Sequence, residues 1–406
     1  MQNQTIGWKG LWSDSHRRQD PMNRTLFFLL ACAAIYAFAA PVAGAQYIFT
    51  LIEANNLPAS VGRPAINNAG TVAFDGNPGI VIIAPDGGRT TITDRTGPTF
   101  NSFFGPSINN AGTAAFVATL DVGGQGIYTG AGGATTLIAD GSGPIFNLFA
   151  QGAPSINSGG TVAFLASLDA GGKGIFTGAG GATTTIADTN GPIFSEVLGL
   201  PSINTAGTVA FFGELDAGGA GIFTSAGGAM TTIAHSSNPI FQSYSSFGSS
   251  PSINAAGTVA FSARLAAGGK GIFTGAGGAT TPIVDTNGSI FTDFVSNLGI
   301  NAAGSVAFHA RLVPTDEDGD INVEGIFVGD GEANTEVIRT GTALFGSTVE
   351  DLLFDSYGFN DAGQVAFRFD LADGRRGIAV ANPVPEPSSA LLLAASGVTL
   401  LHRRRR

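Results

Sequence analysis

The sequence predicts an all-β fold, a seven-bladed β-propeller made of four-stranded blades. One motif, Asn-x-x-Gly-x-x-Ala-Phe, occurs seven times, and successive copies begin 42 to 59 residues apart. A unit of this length is typical of one propeller blade. The seventh unit ends before a fourth strand, whereas an extra strand precedes the first unit. We therefore expect the N-terminal strand to complete the last blade and close the ring.

The glycine and charge contents favour the same fold class. The 406 residues include 60 Gly, and only 12% of them are charged. The glycines have no three-residue period, which excludes collagen, and their number favours short strands joined by turns over long helices. A hydrophobic content of 44% indicates a large buried core.

The repeated motif starts at an Asn and ends at a Phe, and we interpret both as structural residues. The seven pairs are Asn67/Phe74, Asn109/Phe116, Asn157/Phe164, Asn204/Phe211, Asn254/Phe261, Asn301/Phe308 and Asn360/Phe367. Asn and Gly suit a tight turn, because Asn tolerates a positive φ and Gly adopts one without steric penalty. The Phe shares one strand face with the residue two positions earlier, so we expect it to pack between neighbouring blades.

The fourth repeat shows the expected strands most clearly. They are residues 201–204, 208–215, 221–224 and 231–234, and turns rich in Asn, Asp or Gly separate them. The extra strand at 47–54 aligns with the last of these four strands. With it as the closing strand, the predicted propeller covers residues 46–382.

Residues 1–45 have the features of a secretory signal peptide. A positive start at 22–24 precedes an apolar stretch, and Ala43–Ala45 forms a small-x-small cleavage pattern. Residues 1–21 are polar, and we interpret them as a start codon placed too early rather than as an extended positive region. Cys32 offers lipoprotein acylation as an alternative, which the short apolar run before it disfavours.

The C-terminal residues 383–406 combine three features in a fixed order. The motif Pro385-Glu386-Pro387 is followed by an apolar stretch and then by four terminal arginines. This segment resembles the PEP-CTERM sorting signal of Gram-negative bacteria. The resemblance implies transient anchoring through an apolar C-terminal helix, removal of the tail by an exosortase-type membrane protease, and release to the cell surface or extracellular matrix. A permanent membrane anchor is the alternative.

The repeats themselves resemble a family of exported bacterial proteins with tandem NxxGxxAF repeats. This resemblance covers about 46–382, nearly all of the expected mature chain. It implies a propeller at the cell surface, and it supplies no catalytic residue that could be transferred to this sequence.

The net charge excludes one class of partner. Without Asp14, Asp20 and Glu386, 27 of the 30 acidic residues remain, and without the eight basic residues of the two ends, 11 of the 19 remain, so the body carries −16. A body this acidic is not expected to bind a nucleic acid. It suits a surface protein or one that meets divalent cations.

The residue types of the body disfavour several kinds of catalysis. It contains no Cys, no Trp and two His, at His235 and His309, so sites with His and Cys ligands are not expected. It has no nucleophile-elbow, phosphate-loop or zinc-protease motif. We predict no cofactor and no catalytic residue.

One acidic segment raises the question of calcium. Asp316, Asp318, Asp320 and Asn322 place oxygen atoms at alternate positions, as calcium-binding loops do. The segment lacks the Gly and Glu of an EF-hand loop. A solvated acidic loop is therefore the favoured interpretation, and a calcium site is the alternative.

These observations predict a non-enzymatic exported scaffold that binds an envelope protein or a polysaccharide through one end of the ring. Asp121, Asp169 and Asp216 recur in Leu-Asp-x-Gly-Gly turns, where Asp is a common turn residue. Two alternatives stay open, a glycan-acting enzyme with carboxylates at the channel mouth and a calcium-stabilised adhesin. For sugar contacts, Tyr128 and Tyr244 are the candidate aromatic platforms.

Overall fold

The chain folds into seven antiparallel sheets that form a seven-bladed β-propeller, as predicted. The structure is a computed structural model, and it describes residues 47–54, 62–242, 248, 250–295, 298–313 and 323–384. Within these ranges, the one helical element is a short 3₁₀ turn at Ser356–Gly358. No helix in the described part of the chain is long and apolar enough to cross a membrane.

The strands of the first four blades follow one another in chain order, after the N-terminal strand β1 (Tyr47–Ala54). Blade one contains β2 (Ala65–Ile66), β3 (Val72–Asp75), β4 (Gly79–Ile83) and β5 (Arg89–Asp94). Blade two contains β6 (Phe100–Ile108), β7 (Ala114–Leu120), β8 (Gln125–Gly130) and β9 (Thr136–Asp140). Blade three contains β10 (Phe146–Phe149), β11 (Ser155–Ile156), β12 (Val162–Leu168), β13 (Lys173–Gly178) and β14 (Thr184–Asp188). Blade four contains β15 (Phe194–Ile203), β16 (Val209–Leu215), β17 (Ala220–Ser225) and β18 (Met230–His235).

The last three blades have the same strand order. Blade five contains β19 (Ser252–Ile253), β20 (Val259–Arg264), β21 (Lys270–Gly275) and β22 (Thr281–Asp285). Blade six contains β23 (Phe291–Phe294), β24 (Gly299–Ile300), β25 (Val306–Leu312), β26 (Glu324–Gly329) and β27 (Asn334–Arg339). Blade seven contains β28 (Ala343–Leu344), β29 (Ser347–Leu353), β30 (Val365–Leu371) and β31 (Arg376–Pro383).

The first strand of blade four is longer than the sequence predicted. In blade four, β15 begins at Phe194, seven residues before the expected start, and its pairing with β16 shifts between Leu198 and Ser202. Pro201 lies in this gap and has no N–H to donate to the ladder. Blade three has a Pro at the equivalent position, and there the first strand is split into two pieces. In these two blades the proline marks an interruption of the strand, not its start.

The N-terminal strand closes the ring, as predicted. Strand β1 pairs antiparallel with β31, from Tyr47 opposite Pro383 to Ala54 opposite Gly377. It thereby becomes the outer strand of blade seven, whose other strands come from the other end of the chain. No blade edge is left open between the first and the last repeats.

The core is divided into seven clusters, one at each junction between blades. At the junction of blades three and four, Phe194, Phe211 and Phe223 of blade four pack against Ala163 and Ile175 of blade three. The Phe194 ring meets the other two edge to face, and its centroid is 5.6 Å from that of Phe211. Such aromatic pairs add to the free energy gained by burying apolar area.

The motif Phe residues all lie in these junction clusters. Each packs against the blade before its own, and Phe74 of blade one continues the pattern by packing against Ala366 and Ile378 of blade seven. Their side chains are at most 2% exposed. The seven residues are Phe74, Phe116, Phe164, Phe211, Phe261, Phe308 and Phe367. Because they do not reach the surface, the structure gives them a packing role and not a binding role.

The Ala before each motif Phe has a different partner. Successive residues of a strand point to opposite faces, so Ala210 faces blade five whereas Phe211 faces blade three. Ala210 lies in a cluster with Phe261 and Phe273 of the next blade. The small side chain leaves room for these rings. The Ala-Phe pair of the motif thus gives each blade one face with a small side chain and one face with a large side chain. The Ala face of one blade packs against the Phe face of the next blade.

Replacing Ala210 with Leu should therefore lower the stability of the ring. Ala210 is fully buried, and overpacking such a site costs about 1–3 kcal/mol. The matched control Ala206→Leu lies on an exposed turn and should change the free energy of unfolding by no more than about 0.5 kcal/mol. Chemical denaturation followed by circular dichroism measures both, since the ring has no Trp to report by fluorescence. Equal midpoints for the two variants would contradict this packing.

Candidate functional site

The two ends of the ring carry different turns. In blade four, β16 begins after the turn at Asn204 and ends at the turn that contains Asp216. We call the end with the seven turns that start at the motif asparagines the NxxG face. The opposite end, with the turns that contain Asp121, Asp169 and Asp216, is the LDxGG face. The first strands of the blades line a channel between these two ends.

Six of the seven motif asparagines link their blade to the next on the NxxG face. The Asn157 Nδ2 donates to the Asn204 carbonyl oxygen at 3.3 Å, and the Asn157 Oδ1 accepts the N–H groups of Gly159 and Thr161. One side chain therefore holds its own turn and the neighbouring blade. The same inter-blade bond joins Asn67 to Asn109, Asn109 to Asn157, Asn204 to Asn254, Asn254 to Asn301, and Asn360 to Asn67. We call these bonds the asparagine ladder.

The ladder corrects the expected role of the Asn. The sequence analysis assigned it to a turn position with positive φ, but Phe345 is the one described residue other than Gly with a positive φ. The Gly three positions after the Asn takes that conformation, as Gly207 does at φ 84°. The Asn is there for its amide, which can donate and accept at once. The motif asparagines are buried, so an unpaired amide there would be costly.

A small cavity opens at the NxxG end of the channel. Its volume is about 190 Å³, and we call it the NxxG basin. The first strands of the blades supply an apolar ring of Ile side chains, and the motif asparagines and their following residues surround the mouth. The Ile ring consists of Ile66, Ile108, Ile156, Ile203, Ile253 and Ile300.

The Asn and the Phe of the motif differ in whether they line the channel. Several of its asparagines border the NxxG basin, whereas its Phe residues line neither channel cavity. Phe74, Phe164, Phe308 and Phe367, like the other three, are enclosed between blades. The Phe residues therefore position the blades and are not part of a candidate site.

Tyr357 from blade seven forms part of the basin lining, and the sequence analysis missed it. It lies on the 3₁₀ turn Ser356–Gly358, and its hydroxyl is 3.5 Å from the Pro201 carbonyl oxygen of blade four. Its side chain therefore crosses the channel. Burial raises the pKa of its hydroxyl well above the usual value, so the group stays protonated. The sequence did contain a feature that could have identified Tyr357, because this residue occupies a position where most repeats have Pro.

A second set of bonds surrounds the basin mouth where the ring closes. Asp361 of blade seven accepts the Ala302 N–H at 2.7 Å and an N–H of the Asn68 side chain at 2.5 Å. Its own N–H donates to the Asn68 Oδ1. The Asn68 N–H donates in turn to the Asn110 Oδ1. The long polar side chains that follow the motif Asn thus reinforce blades six, seven, one and two.

The other end of the channel also holds a cavity, of about 260 Å³. Its lining includes Arg63 and Asp355, whose closest charged atoms are 4.0 Å apart, together with several glycines. One carboxylate therefore borders each end of the channel among the described lining residues.

The recurrent acids belong to turns. Asp121, Asp169 and Asp216 are exposed on the LDxGG face. Other acids at that end accept backbone N–H groups of their own turns, as Asp188 does from Asn190 and Gly191. This is the turn role that short acidic side chains commonly have. In the described part of the chain, no group of three or more His, Cys, Asp and Glu residues could hold a metal ion.

Several predicted sites lie outside the described residues. They are the acidic segment with Asp316, Asp318, Asp320 and Asn322, the sorting motif Pro385-Glu386-Pro387, and Tyr244. Tyr128 is described, and it is not an exposed platform. It packs in the cluster between blades one and two, with its ring stacked on Phe116 at 6.1 Å.

A partly buried ion-pair cluster lies in blade six, on the strands that flank the acidic segment. The His309 Nε2 is 3.2 Å from one oxygen of Glu324, and the Arg311 Nε is 2.9 Å from the other. The hydrogen bond with His309, together with Arg311, lowers the pKa of Glu324 to about 2.

Comparison with protein-family models gives two matches. A family of unknown function, DUF7453, matches residues 52–180, 139–355 and 346–391. The chain belongs to this DUF7453 family. The PEP-CTERM protein-sorting motif matches residues 383–406, and it implies export, sorting to the cell surface and processing by an exosortase. No curated protein matches the chain.

Solved structures similar to this DUF7453 chain share little sequence with it. A sialidase from Trypanosoma rangeli is 11% identical, with a TM-score of 0.38 over 86% of this chain and 62% of the sialidase, so the chain spans less than two thirds of that enzyme. The WD40 domain of SCAP from fission yeast is 10% identical, with a TM-score of 0.39 over 83% of this chain and 98% of that domain. A virginiamycin B lyase from Staphylococcus aureus is 13% identical, with a TM-score of 0.43 over 83% of this chain and all of the lyase. Likeness at this level carries no argument about activity.

The asparagine ladder can be separated from the asparagine turn by two substitutions in this DUF7453 chain. Asn157→Ala removes the acceptor of two N–H groups and the donor to Asn204, and should cost about 1–3 kcal/mol. Asn157→Asp keeps the acceptor but loses the donor, so it should also melt below the parent. Ser158→Ala, on the same turn, is the matched control and should melt with the parent. If Asn157→Asp melted with the parent, the inter-blade bond would contribute nothing.

The low pKa of Glu324 predicts how its contribution to stability changes with pH. Its pKa is lowered from 4.5 to about 2 on folding, so the ionised group stabilises the fold above pH 4.5. That contribution falls as the pH drops from 4.5 towards 2. The gap in melting temperature between the parent and Glu324→Gln should therefore narrow over this range. Glu332→Gln, an exposed carboxylate on a turn of the same blade, is the control. A gap that is constant with pH would contradict the pairing.

Proposed function

We propose that the protein is a non-enzymatic binding scaffold at the cell surface or in the extracellular matrix, which engages a polysaccharide or an envelope protein through one end of the ring. The observation that carries this proposal is the placement of the described carboxylates. Many of them lie on turns or in ion pairs, and each channel end has one among its described lining residues, Asp361 on one side and Asp355 on the other.

The same observation disfavours the enzyme alternative. Glycoside hydrolysis commonly uses two carboxyl groups roughly 5–10 Å apart on either side of the scissile bond. Asp361 is occupied by bonds to Ala302 and Asn68, which belong to the ring itself. Asp355 is nearly buried and accepts the Ser356 hydroxyl at 3.0 Å. Neither stands beside a second described carboxylate in its cavity.

Near-identical blades also support a scaffold. Residues that repeat from blade to blade have structural partners, the Asn in the ladder and the Phe between blades. An active site needs side chains that differ around the ring, because catalysis assigns different roles to different groups. Here the largest departure at the channel is Tyr357, whose protonated hydroxyl is suited to hydrogen bonding.

The test is to incubate the purified exported protein with the polysaccharide of its own envelope and to measure retention and product together. We expect the protein to co-sediment with the polysaccharide or to retain an envelope protein, with no new reducing ends. Heat-unfolded protein is the control for non-specific retention. Reducing ends that increase with time and with protein concentration would establish the enzyme instead, and a folded protein that retains neither partner would refute the scaffold.

A further inference from the structure

The NxxG basin has the chemistry of a built binding site. Polar side chains line it although they are more than nine-tenths buried, among them Ser155, Asn157 and Asn204. The ladder uses one N–H of each Asn nitrogen, whereas a primary amide carries two. The Ser155 Oγ accepts the Ile203 N–H, and the Ser155 side chain also forms a hydrogen bond with Tyr357. The wall therefore combines donors and acceptors at fixed positions.

The described lining carries one charged side chain, and its charge is negative. Asp361 is the one acidic or basic side chain among the described lining residues. Both of its carboxylate oxygens already accept N–H groups, from Ala302 and Asn68. An anionic ligand would meet this carboxylate without a cation to offset it. The basin therefore disfavours an anionic ligand, and its uncharged polar side chains suit the hydroxyl groups of a neutral one.

Aromatic side chains cover another part of the lining. Tyr357 and Phe359 both border the basin, on the turn that departs from the other repeats. The neighbouring blade makes room for this turn, because a Cβ at Gly299 would lie 2.7 Å from the Ser356 carbonyl oxygen. A sugar ring has C–H faces that suit aromatic or aliphatic side chains and O–H edges that suit amides and hydroxyls. The basin supplies both kinds of surface.

The size of the basin limits its occupant. Its volume of about 190 Å³ is smaller than the roughly 300–1,000 Å³ of pockets for drug-sized ligands. Tyr357 reaches across the channel to Pro201, so a long molecule has no straight path through. The basin therefore has room for one sugar ring, and any further sugar residues would lie outside its mouth.

We propose that the NxxG basin binds one neutral hexose ring, as the terminal residue of a glycan. This inference rests on the proposed binding function and assigns it a site. The hexose ring lies against Tyr357 and Phe359, and the hydroxyl groups of the hexose form hydrogen bonds with the buried Ser and Asn side chains. A glycan chain leaves through the mouth, between the exposed residues that follow the motif asparagines, such as Ser158 and Thr205.

The test uses the methyl glycosides of glucose, galactose and mannose, with methyl glucuronoside as the charged probe. Binding to the exported protein is measured by saturation-transfer NMR and by calorimetry. We expect at least one neutral glycoside to bind and the glucuronoside to bind more weakly. Thr205→Trp should block the mouth and weaken that binding by about tenfold or more, equivalent to ~1.4 kcal/mol. Ala206→Trp, one residue further on and outside the lining, is the matched control and should bind as the parent does.

Each other result has a defined meaning. Melting curves first establish that both Trp variants are folded. No binding of any neutral glycoside, preference for the glucuronoside, or unchanged binding by Thr205→Trp would overturn the proposal. If the parent and Thr205→Trp retained envelope polysaccharide equally, the scaffold function would stand and this site would be wrong. If the parent retained neither polysaccharide nor envelope protein, the scaffold function and the sugar site would both be wrong. A final comparison uses an oligosaccharide whose reducing end has been chemically reduced and whose terminal sugar is the same as that of the methyl glycoside. If this oligosaccharide bound more weakly than the methyl glycoside, the basin would not be a site for the end of a glycan chain.

Discussion

The asparagine ladder is the interaction on which the ring depends. Six of the seven motif amides fix the turn between the first two strands of their blade and also donate to the backbone of the next blade, so local geometry and blade spacing are set together. The bond from Asn360 to Asn67 continues the ladder across the point where the two ends of the chain meet. A blade that tilted would break a bond to its neighbour and strand buried amide groups, which is costly. This coupling explains why the Asn is repeated while many residues around it change.

The remaining stability is spread evenly around the ring. Each junction has its own cluster, formed by the Phe face of one blade and the Ala face of the blade before it. The body has no Cys, so no covalent link assists these clusters. Closure by β1 therefore matters, since it gives blade seven its outer strand and leaves all seven junctions equivalent in kind. The NxxG basin is shaped by the same elements, because its walls are the ladder and the first strands.

The blade number and the closing strand could be predicted because they depend on counting. Repeats in register give the blades, and a strand missing at one end and added at the other gives the closure. The role of Asn could not be predicted, because an Asn that adopts a positive φ and an Asn that bonds to the next blade look identical in a single sequence. Pro201 was likewise predicted to start a strand, but in the structure it lies where the pairing of β15 is interrupted. Tyr357 occurs once, and only the folded ring shows that its hydroxyl reaches the opposite blade. The acidic segment at 316–322 stays a prediction.

The position of β31 has a mechanical consequence. Its last residue, Pro383, lies on the NxxG face, where the sorting segment 383–406 begins. Strand β31 is held between β30 and β1, and both ladders run perpendicular to the strand itself. A pull along β31 therefore loads these hydrogen bonds in shear, all at once, instead of opening them one after another. Such a load would be shared by two ladders, and the blade that contains both β1 and β31 would resist being peeled apart.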